Sequence, residues 1–337
     1  MRSVFHPFLP NGPAGDPVLW VDLPDEGHSL MLDLGRLDAI TPRKLLRVGR
    51  VVVSHTHIDH FIGFDALLRL VLGRERELVL SGPDGFLERV AGKIHGYSWN
   101  LIERYPVVLV AEEVAGGVVR SVRYTGANRM RGEPPVERPV TGALHAHRAY
   151  TVHVDSFDHG IPVLGVALRE TEHLSVNRDR LQRLGLEPGE WLGTLKNAVR
   201  RGVSADREIA ATTSDGGTRS LRVGRLEDEI LLRTRGQTIG YLTDLAHTQA
   251  NLDRAARLLR DVDLLVCEAA FLDADRDLAC ERRHLTARQA GELARACGAR
   301  KLAPFHFSPR YAGRHDRLRA EAAEAFGGPV VSLPTGP

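Results

Sequence analysis

Short apolar runs recur along the chain, and many of them end at a histidine or an acidic residue. Residues 51–53 are three consecutive valines, and a short β-branched run of this kind is typical of a buried strand. Residues 61–68 then place apolar side chains at helical spacing. The intervening residues 55–60 read His-Thr-His-Ile-Asp-His. The pattern therefore predicts a polar cluster where a strand ends and a helix begins, the usual position of a functional site in an α/β sheet.

Similar alternation over the rest of the chain predicts an α/β fold. Segments expected to contain a strand are 18–23, 29–35, 77–83, 166–170, 238–244, 263–271 and 301–311. A helix is expected at 251–259, and residues 283–294 are expected to begin at a polar turn and enter a helix. Residues 107–113 and 118–124 alternate apolar and polar side chains, and we expect them to be strands of a second sheet. Residues 129–139 contain proline, glycine and charge, which favours a surface loop. Residues 172–202 depart from this alternation of strands and helices and carry leucines at helical spacing.

Composition narrows the class of protein. The 337 residues are 43% hydrophobic, which is enough for a sizeable core, and we expect one domain over residues 1–337. The net charge of +2 excludes a global polycation. The three cysteines form no Cys-x-x-Cys pair, so we expect reduced thiols and a cytoplasmic location. We find no signal peptide and no apolar run of the ~20 residues that a membrane span needs, so no membrane association is expected.

The residue types between strand and helix favour metal binding. Imidazole and carboxylate groups this close together are costly unless they share a cation, and the combination suits zinc, with manganese or iron as alternatives. His55 and His57 can chelate one ion from extended chain, while Asp59 and His60 face a second position just past the turn. The alternative is a histidine-rich surface loop without a metal.

Three motifs resemble those of a known family. His-x-His-x-Asp-His at 55–60 resembles the signature of the metallo-β-lactamase superfamily. His-Leu-Thr-Ala-Arg-Gln-Ala at 284–290 and His-Phe-Ser-Pro-Arg-Tyr at 306–311 resemble, in order and spacing, two segments of its ribonuclease Z branch. The resemblance extends over roughly residues 29–311. It implies a four-layer αββα metallo-β-lactamase sandwich, with two mixed sheets face to face, helices outside and a helical arm insertion.

The resemblance also implies roles for individual residues. The ligands of one ion would be His55, His57 and His159, and those of the other would be Asp59, His60 and His306. Asp244 would bridge the two ions, and Asp33 would support a ligand histidine from behind. The catalytic residues would be Asp59, which orients the attacking water, His284, which protonates the leaving 3′ oxygen, and Glu268, which assists His284.

The arm is expected at residues 171–203, and it resembles the segment with which short ribonuclease Z proteins hold tRNA. Pro188 and Gly189 would contact substrate there, and Arg310 would do so near the metal site. Glu190 stands where the family usually has a second proline. Further departures are Leu245 and Ala246 after the bridging aspartate, and Cys267 in place of a histidine before Glu268.

The function that the resemblance implies is endonucleolytic removal of the 3′ trailer from precursor tRNA by a zinc-dependent hydrolase with two divalent metal ions. A homodimer is expected by analogy with the family. A second interpretation keeps the metals but takes small cyclic or nucleotide diesters as substrate. A third is a non-catalytic RNA-binding protein that retains the site residues.

Overall fold

The computed structural model describes residues 4–336 of the chain. The strands are β1 (His6–Phe8), β2 (Leu19–Leu23), β3 (His28–Leu32), β4 (Val48–Val52), β5 (Arg76–Pro83), β6 (Val107–Ala115), β7 (Val118–Thr125), β8 (Val136–Pro139), β9 (His145–Ala146), β10 (Tyr150–Asp158), β11 (Pro162–Glu170), β12 (His173–Val176), β13 (Glu208–Thr212), β14 (Thr218–Arg222), β15 (Leu231–Thr234), β16 (Thr238–Leu242), β17 (Leu264–Glu268) and β18 (Leu302–Phe305).

The helices are α1 (Pro42–Leu45), α2 (Ile58–Phe61), α3 (Phe64–Val71), α4 (Phe86–His95), α5 (Arg178–Arg183), α6 (Trp191–Arg200), α7 (Val223–Ile230), α8 (Gln249–Leu258), α9 (Arg276–Glu281), α10 (Ala287–Ala296) and α11 (His315–Phe326), and short 3-10 turns lie at Pro24–Glu26, Asp273–Asp275 and Pro309–Tyr311. Within the described part of the chain, no helix combines the length and the apolar character needed to cross a bilayer.

Two compact units make up the fold. The larger contains Phe5–Leu144, Val152–Leu168 and the chain from Thr238 onward, and the smaller contains His145–Thr151 and Arg169–Gln237. The predicted arm at 171–203 is therefore part of a longer unit that continues to Gln237.

Both large sheets belong to the larger unit. The first has eight strands in chain order, β1 to β8, with parallel pairing from β3 to β6 and antiparallel pairing elsewhere. The second contains β18-β17-β16-β11-β10 in this order, and β16, β17 and β18 run parallel. The predicted second-sheet position of residues 107–113 and 118–124 is wrong, because β6 pairs with β5 in the first sheet and β7 follows β6. The predicted loop at 129–139 also ends in a strand, β8, at the sheet edge.

The inner strands of each sheet are buried on both faces. In the first sheet Trp20 and Val51 pack with the apolar faces of α1 to α4, whereas their neighbours Val21 and Val52 are buried on the opposite face. In the second sheet Leu265 packs with α8, α10 and α11, and alternate residues of its strands are buried facing the other way. Strands that are buried on both faces are expected where helices cover one side and a second sheet covers the other.

The smaller unit has its own core. Strands β12 and β15 pair antiparallel, β13 and β14 form a hairpin, and α5, α6 and α7 pack against them. Leu181, Trp191, Leu195, Leu226 and Ile230 are buried among them. The leucine spacing of residues 172–202 therefore reflects the apolar faces of α5 and α6. The hairpin of β13 and β14 comes after α6 in the chain.

Candidate metal centre

One group of donors forms where three strands of the larger unit end. Strand β4 ends at Val52, and His55 and His57 follow in extended chain before α2 begins at Ile58. His159 follows β10, and Asp244 follows β16. These four residues offer ligand atoms that all lie within 4.8 Å of one another. Side chains separated by up to 189 positions in sequence thus converge on one point that could hold a cation.

A second group lies directly beside the first. Asp59, His60 and His306 also offer ligand atoms within 4.8 Å of one another. Asp244 joins the two groups, because its Oδ2 lies 3.4 Å from His55 Nε2 and 3.4 Å from His60 Nε2, and its Oδ1 lies 3.1 Å from His306 Nδ1. The arrangement can hold two cations with a shared carboxylate, which is the geometry of a two-metal hydrolytic site.

Hydrogen bonds fix which nitrogen several of these imidazoles present. His159 Nδ1 lies 2.8 Å from the carbonyl oxygen of Arg283, and His60 Nδ1 lies 2.8 Å from Asp33 Oδ2. A carbonyl or carboxylate oxygen can only accept, so Nδ1 carries the hydrogen in both rings. The Nε2 lone pair of the neutral ring is then directed into the donor group, as outer contacts around metal ligands usually arrange.

Asp33 is the centre of this support. Its carboxylate accepts from the Ser54 backbone N–H at 2.6 Å, from Ser54 Oγ at 2.9 Å, from His60 and from Tyr241 Oη at 2.6 Å. Ser54 Oγ in turn lies 3.0 Å from His55 Nδ1. The sequence interpretation missed Ser54 and Tyr241. The place of Ser54 directly before the histidine motif was a usable signal, but no sequence feature indicates that Tyr241 reaches Asp33.

Left-handed backbone is concentrated here. Asp33, Asp244, Arg283 and His306 have φ of 65°, 51°, 59° and 56°. Each residue of this kind costs on the order of 1–3 kcal/mol, and the conformation persists only where the surrounding structure imposes it. Such strain is typical of functional sites, and it aims Asp244 and His306 back toward the histidine motif.

The donor atoms fit a cation better than they fit one another. His55 Nε2, His60 Nε2 and His306 Nδ1 are buried and carry no hydrogen bond within the described residues, although carboxylate oxygens lie 3.1–3.4 Å away. Leaving buried polar atoms unpaired costs about 1–3 kcal/mol each. A bound divalent ion would give all three a partner, so the residues present fit the metal that the motif implies.

Titration differs between the two groups. Burial lowers the pKa of His55, of His57 and of His159, which keeps these rings neutral and able to bind metal. Burial also opposes charge on His60, but Asp244 and Asp33 outweigh it and raise the pKa of His60 to about 10. For Asp59 burial opposes ionisation, but the hydrogen bond with His306 and the charges of His60 and His306 together outweigh burial and lower the pKa to about 2.

His284 and Glu268 lie beside these donors and, with Asp244 and His306, form a third group whose ligand atoms lie within 4.8 Å of one another. His284 Nδ1 lies 2.7 Å from Glu268 Oε2, and the other oxygen of Glu268 accepts the Leu245 backbone N–H at 2.8 Å. Burial disfavours the imidazolium, but Glu268 outweighs this and raises the pKa of His284. The ring is thus oriented by a buried carboxylate and can carry a proton on Nε2.

A cavity of about 250 Å³ opens onto these groups. Asp59, His284 and His306 lie in its wall, together with Phe271, Phe307 and Arg282. Arg310, the arginine predicted to bind substrate here, is not among the lining residues, and its Nη1 lies 3.9 Å from Asp275 Oδ1. Arg282, which does line the cavity, was not singled out from the sequence.

Pro188 and Gly189 lie in the smaller unit. They follow Glu187, whose backbone N–H donates to the Thr212 carbonyl, and they precede Trp191, whose Nε1 donates to the Glu187 carbonyl at 3.0 Å. The segment is therefore a fixed turn that leads into α6. Glu190 is the N-cap residue of α6 and makes no side-chain capping bond.

Comparison with known proteins identifies relatives for nearly the whole chain. A family model described as a beta-lactamase superfamily domain matches residues 205–307. A curated ribonuclease Z from Deinococcus radiodurans is 32% identical over 322 residues, which cover 93% of this chain and 93% of that protein.

Solved structures agree with the fold. The metallo-beta-lactamase fold protein YhfI from Bacillus subtilis aligns with a TM-score of 0.56 at 16% identity, covering 98% of this chain and 97% of that chain. The short form of human tRNase Z aligns with a TM-score of 0.51 at 16% identity, covering 92% and 93%. The predicted α/β metallo-β-lactamase fold is confirmed.

Proposed function

The chain belongs to the ribonuclease Z family of hydrolases, and from this premise we propose that it is an endoribonuclease that removes the 3′ trailer from precursor tRNA. The observation that carries the proposal is the pair of donor groups joined by Asp244, with the oriented His284 beside them. Two-cation sites of this kind serve in-line displacement at phosphorus, and a positioned acid serves the leaving oxygen.

We propose that two divalent ions, zinc with manganese or iron as alternatives, are bound by the predicted ligands. When bound, such ions supply positive charge that acidifies water and neutralises phosphate oxygens near neutral pH. His55, His57 and His159 would hold one ion, Asp59, His60 and His306 would hold the other, and Asp244 would contact both. Asp33 would keep His60 in its binding orientation.

The orientation of the attacking water and the proton transfer to the leaving oxygen would be carried out by protein side chains. Asp59, half-exposed at the cavity wall, would accept a hydrogen bond from the attacking water and orient it toward phosphorus. His284 would donate the proton on Nε2 to the leaving 3′ oxygen. Glu268 would keep that ring oriented and stabilise its charged form until the transfer. General acid assistance of this kind is worth about 10²–10⁴ in rate.

A second candidate function is hydrolysis of small cyclic or nucleotide diesters at the same centre. The observation that favours it is Glu190, whose negative charge lies next to Pro188 and Gly189, the proposed tRNA contacts. An acid at that position repels phosphate and weakens a tRNA-binding arm.

One assay separates the candidates. The purified protein, loaded with zinc or with manganese, is incubated with a trailer-bearing tRNA transcript and with bis-p-nitrophenyl phosphate, and Asp244→Asn serves as the inactive control. We expect one cut in the transcript that leaves a 3′ hydroxyl on the tRNA and a 5′ phosphate on the trailer. Cleavage of the small diester alone would favour the second function. Metal binding with no cleavage of either substrate would favour a non-catalytic RNA-binding protein.

The remaining features are proposed by analogy with the family. We propose that the enzyme works in the cytoplasm as a homodimer, and that Arg310 adds a substrate contact. These features are independent of the metal centre, so their failure would leave the chemistry unchanged.

A further inference from the structure

Among the described residues that line the cavity over the metal centre, Arg282 is the one lysine or arginine. The cavity wall is otherwise acidic, aromatic or small, and includes Asp16, Asp59 and Phe271. Arg282 is exposed, whereas His284, two residues later, is largely buried. Its guanidinium therefore lies at the mouth of the cavity rather than at its floor.

The guanidinium of Arg282 has no ion-pair or hydrogen-bond partner among the described residues. Within residues 4–336, no carboxylate lies within 4.0 Å of it, and it makes no side-chain hydrogen bond. Neighbouring arginines differ, because Arg283 Nη1 lies 3.6 Å from Asp158 Oδ1 and Arg310 Nη1 lies 3.9 Å from Asp275 Oδ1. A guanidinium carries five N–H donors in a fork that matches two phosphate oxygens, so an unpaired one at the mouth of a phosphodiester site is suited to bind a phosphate.

The backbone around Arg282 is fixed. Helix α9 ends at Glu281, and the Arg282 N–H donates to the Leu278 carbonyl at 3.0 Å. Arg283 is left-handed, its carbonyl accepts from His159 Nδ1, and the His284 N–H donates to the Ala279 carbonyl at 2.9 Å. Arg282 is thus held on the same short turn as the proposed proton donor, on the side of the site from which the leaving oxygen departs.

We propose that Arg282 binds the phosphate on the 5′ side of the nucleotide whose 3′ oxygen leaves. That phosphate is the next one along the chain from the scissile one, toward the tRNA body. The assignment rests on the proposed function, because it takes the leaving group from that mechanism. Arg282 would form a subsite for a second phosphate. The enzyme would therefore prefer a polynucleotide over an isolated diester.

The test uses two dinucleotides that differ only in this phosphate. The full-length, metal-loaded protein is given NpN and the 5′-phosphorylated pNpN, and kcat/KM is measured for each. The wild-type protein is expected to prefer pNpN by about 10-fold to 100-fold, the range for one hydrogen-bonded contact to a charged group. Arg282→Ala should reduce the preference to below about two-fold, and Arg282→Lys should restore part of it, since lysine keeps the charge but not the fork.

Two controls isolate the contact. Arg317→Ala removes another exposed arginine, on α11, that does not line the cavity, and it should leave the preference unchanged. Hydrolysis of bis-p-nitrophenyl phosphate, which has no second phosphate, should stay within two-fold of wild type in Arg282→Ala. With precursor tRNA, the same variant should lower the slope of log(kcat/KM) against log salt by about one.

Other outcomes overturn the proposal. A preference for pNpN that survives in Arg282→Ala would show that another group binds this phosphate. Equal loss of NpN, pNpN and bis-p-nitrophenyl phosphate would place Arg282 at the scissile phosphate or in the integrity of the centre. If the wild-type protein cuts the dinucleotides but not precursor tRNA, the proposed function fails while the Arg282 subsite is still decided by the two ratios.

Discussion

At the scale of single residues, the proposed reaction depends on one buried carboxylate, Glu268, that orients one imidazole, that of His284. Glu268 is fully buried, is shared between His284 and the Leu245 backbone, and has its pKa lowered because the nearby His284 outweighs the effect of burial. His284 therefore has little freedom to present the wrong nitrogen to substrate.

We predict that His284→Ala lowers kcat on precursor tRNA by about 10²–10⁴-fold and keeps its bound metal. Glu268→Gln should lower kcat by a smaller factor, and the double variant should be no slower than His284→Ala alone, because both residues act through one proton transfer. Steady-state kinetics and metal analysis of the three variants check this. His95→Ala, at the exposed end of α4, is the control, and a His284→Ala rate near wild type would remove the residue from the mechanism.

The convergence of the proposed ligand residues could be predicted from the sequence, whereas some of the side chains that support them could not. His55 to His60 are neighbours in sequence, and His159, Asp244 and His306 each follow an apolar strand in a recognisable motif. Tyr241 has no such signal, because its contact with Asp33 joins residues 208 positions apart. Arg282 was missed because nothing in the sequence separates the arginine that faces the cavity from Arg283 beside it.

At the scale of elements, close backbone packing at Gly35 and Gly63 fixes the position of the histidine motif. A Cβ on Gly63 would lie 2.2 Å from the Gly35 carbonyl oxygen, and a Cβ on Gly35 would lie 2.7 Å from the Asp59 carbonyl oxygen. The Leu34 N–H donates to the His60 carbonyl at 2.9 Å across the same contact. The chain after β3 therefore touches the backbone of α2 directly, which places Asp33 within reach of His60.

The first sheet contains a buried ion pair next to this region. Glu112 on β6 accepts from Arg50 Nη1 on β4 at 2.6 Å and from Ser81 Oγ on β5 at 2.7 Å. Burial raises the pKa of Glu112, but Arg50 outweighs it, and the net pKa is below the ordinary value of 4.5. The carboxylate thus ties three parallel strands together, including the strand that leads into the histidine motif.

We predict that Glu112→Gln lowers the free energy of unfolding at pH 7 by roughly 3–5 kcal/mol, because it leaves Arg50 buried without its partner. Since the folded pKa is depressed, this stabilisation is complete above the unfolded pKa and is lost as pH falls through the folded value. Denaturant unfolding from pH 7 to pH 3 should therefore show the two proteins converging. Glu77→Gln, whose partner Arg123 lies 2.8 Å away in an exposed pair, should cost no more than about 1 kcal/mol. Equal losses in the two variants would contradict this account.

The positions of strands along the chain were predicted better than the strands with which they pair. Residues 107–113 and 118–124 were recognised as strands, but alternation reports only that one face is buried and not which sheet the strand joins. The pairing of β6 with β5 is fixed by α4, which returns the chain to the same sheet. Strand β8 was missed because its four residues are all exposed at an edge, where burial leaves no pattern.

At the scale of the whole molecule, the chain forms two compact units, each with its own hydrophobic core. All thirteen residues that the sequence interpretation assigned to the site, except Pro188 and Gly189, lie in the larger unit. The smaller unit buries its own apolar residues around Trp191 and Leu195. The helical periodicity of 171–203 could indicate an insertion, but the hairpin of β13 and β14 lies beyond the predicted boundary, where exposed polar residues hide the strands.

The claim on which the account depends is that two cations share Asp244. The most direct measurement is the metal content of the purified protein after equilibration with zinc and removal of free ion. We expect two metal ions per chain in the wild type and in His95→Ala. His306→Ala should retain one, because the donor group of His55, His57, His159 and Asp244 is intact. A wild-type value of one or none per chain would contradict the account.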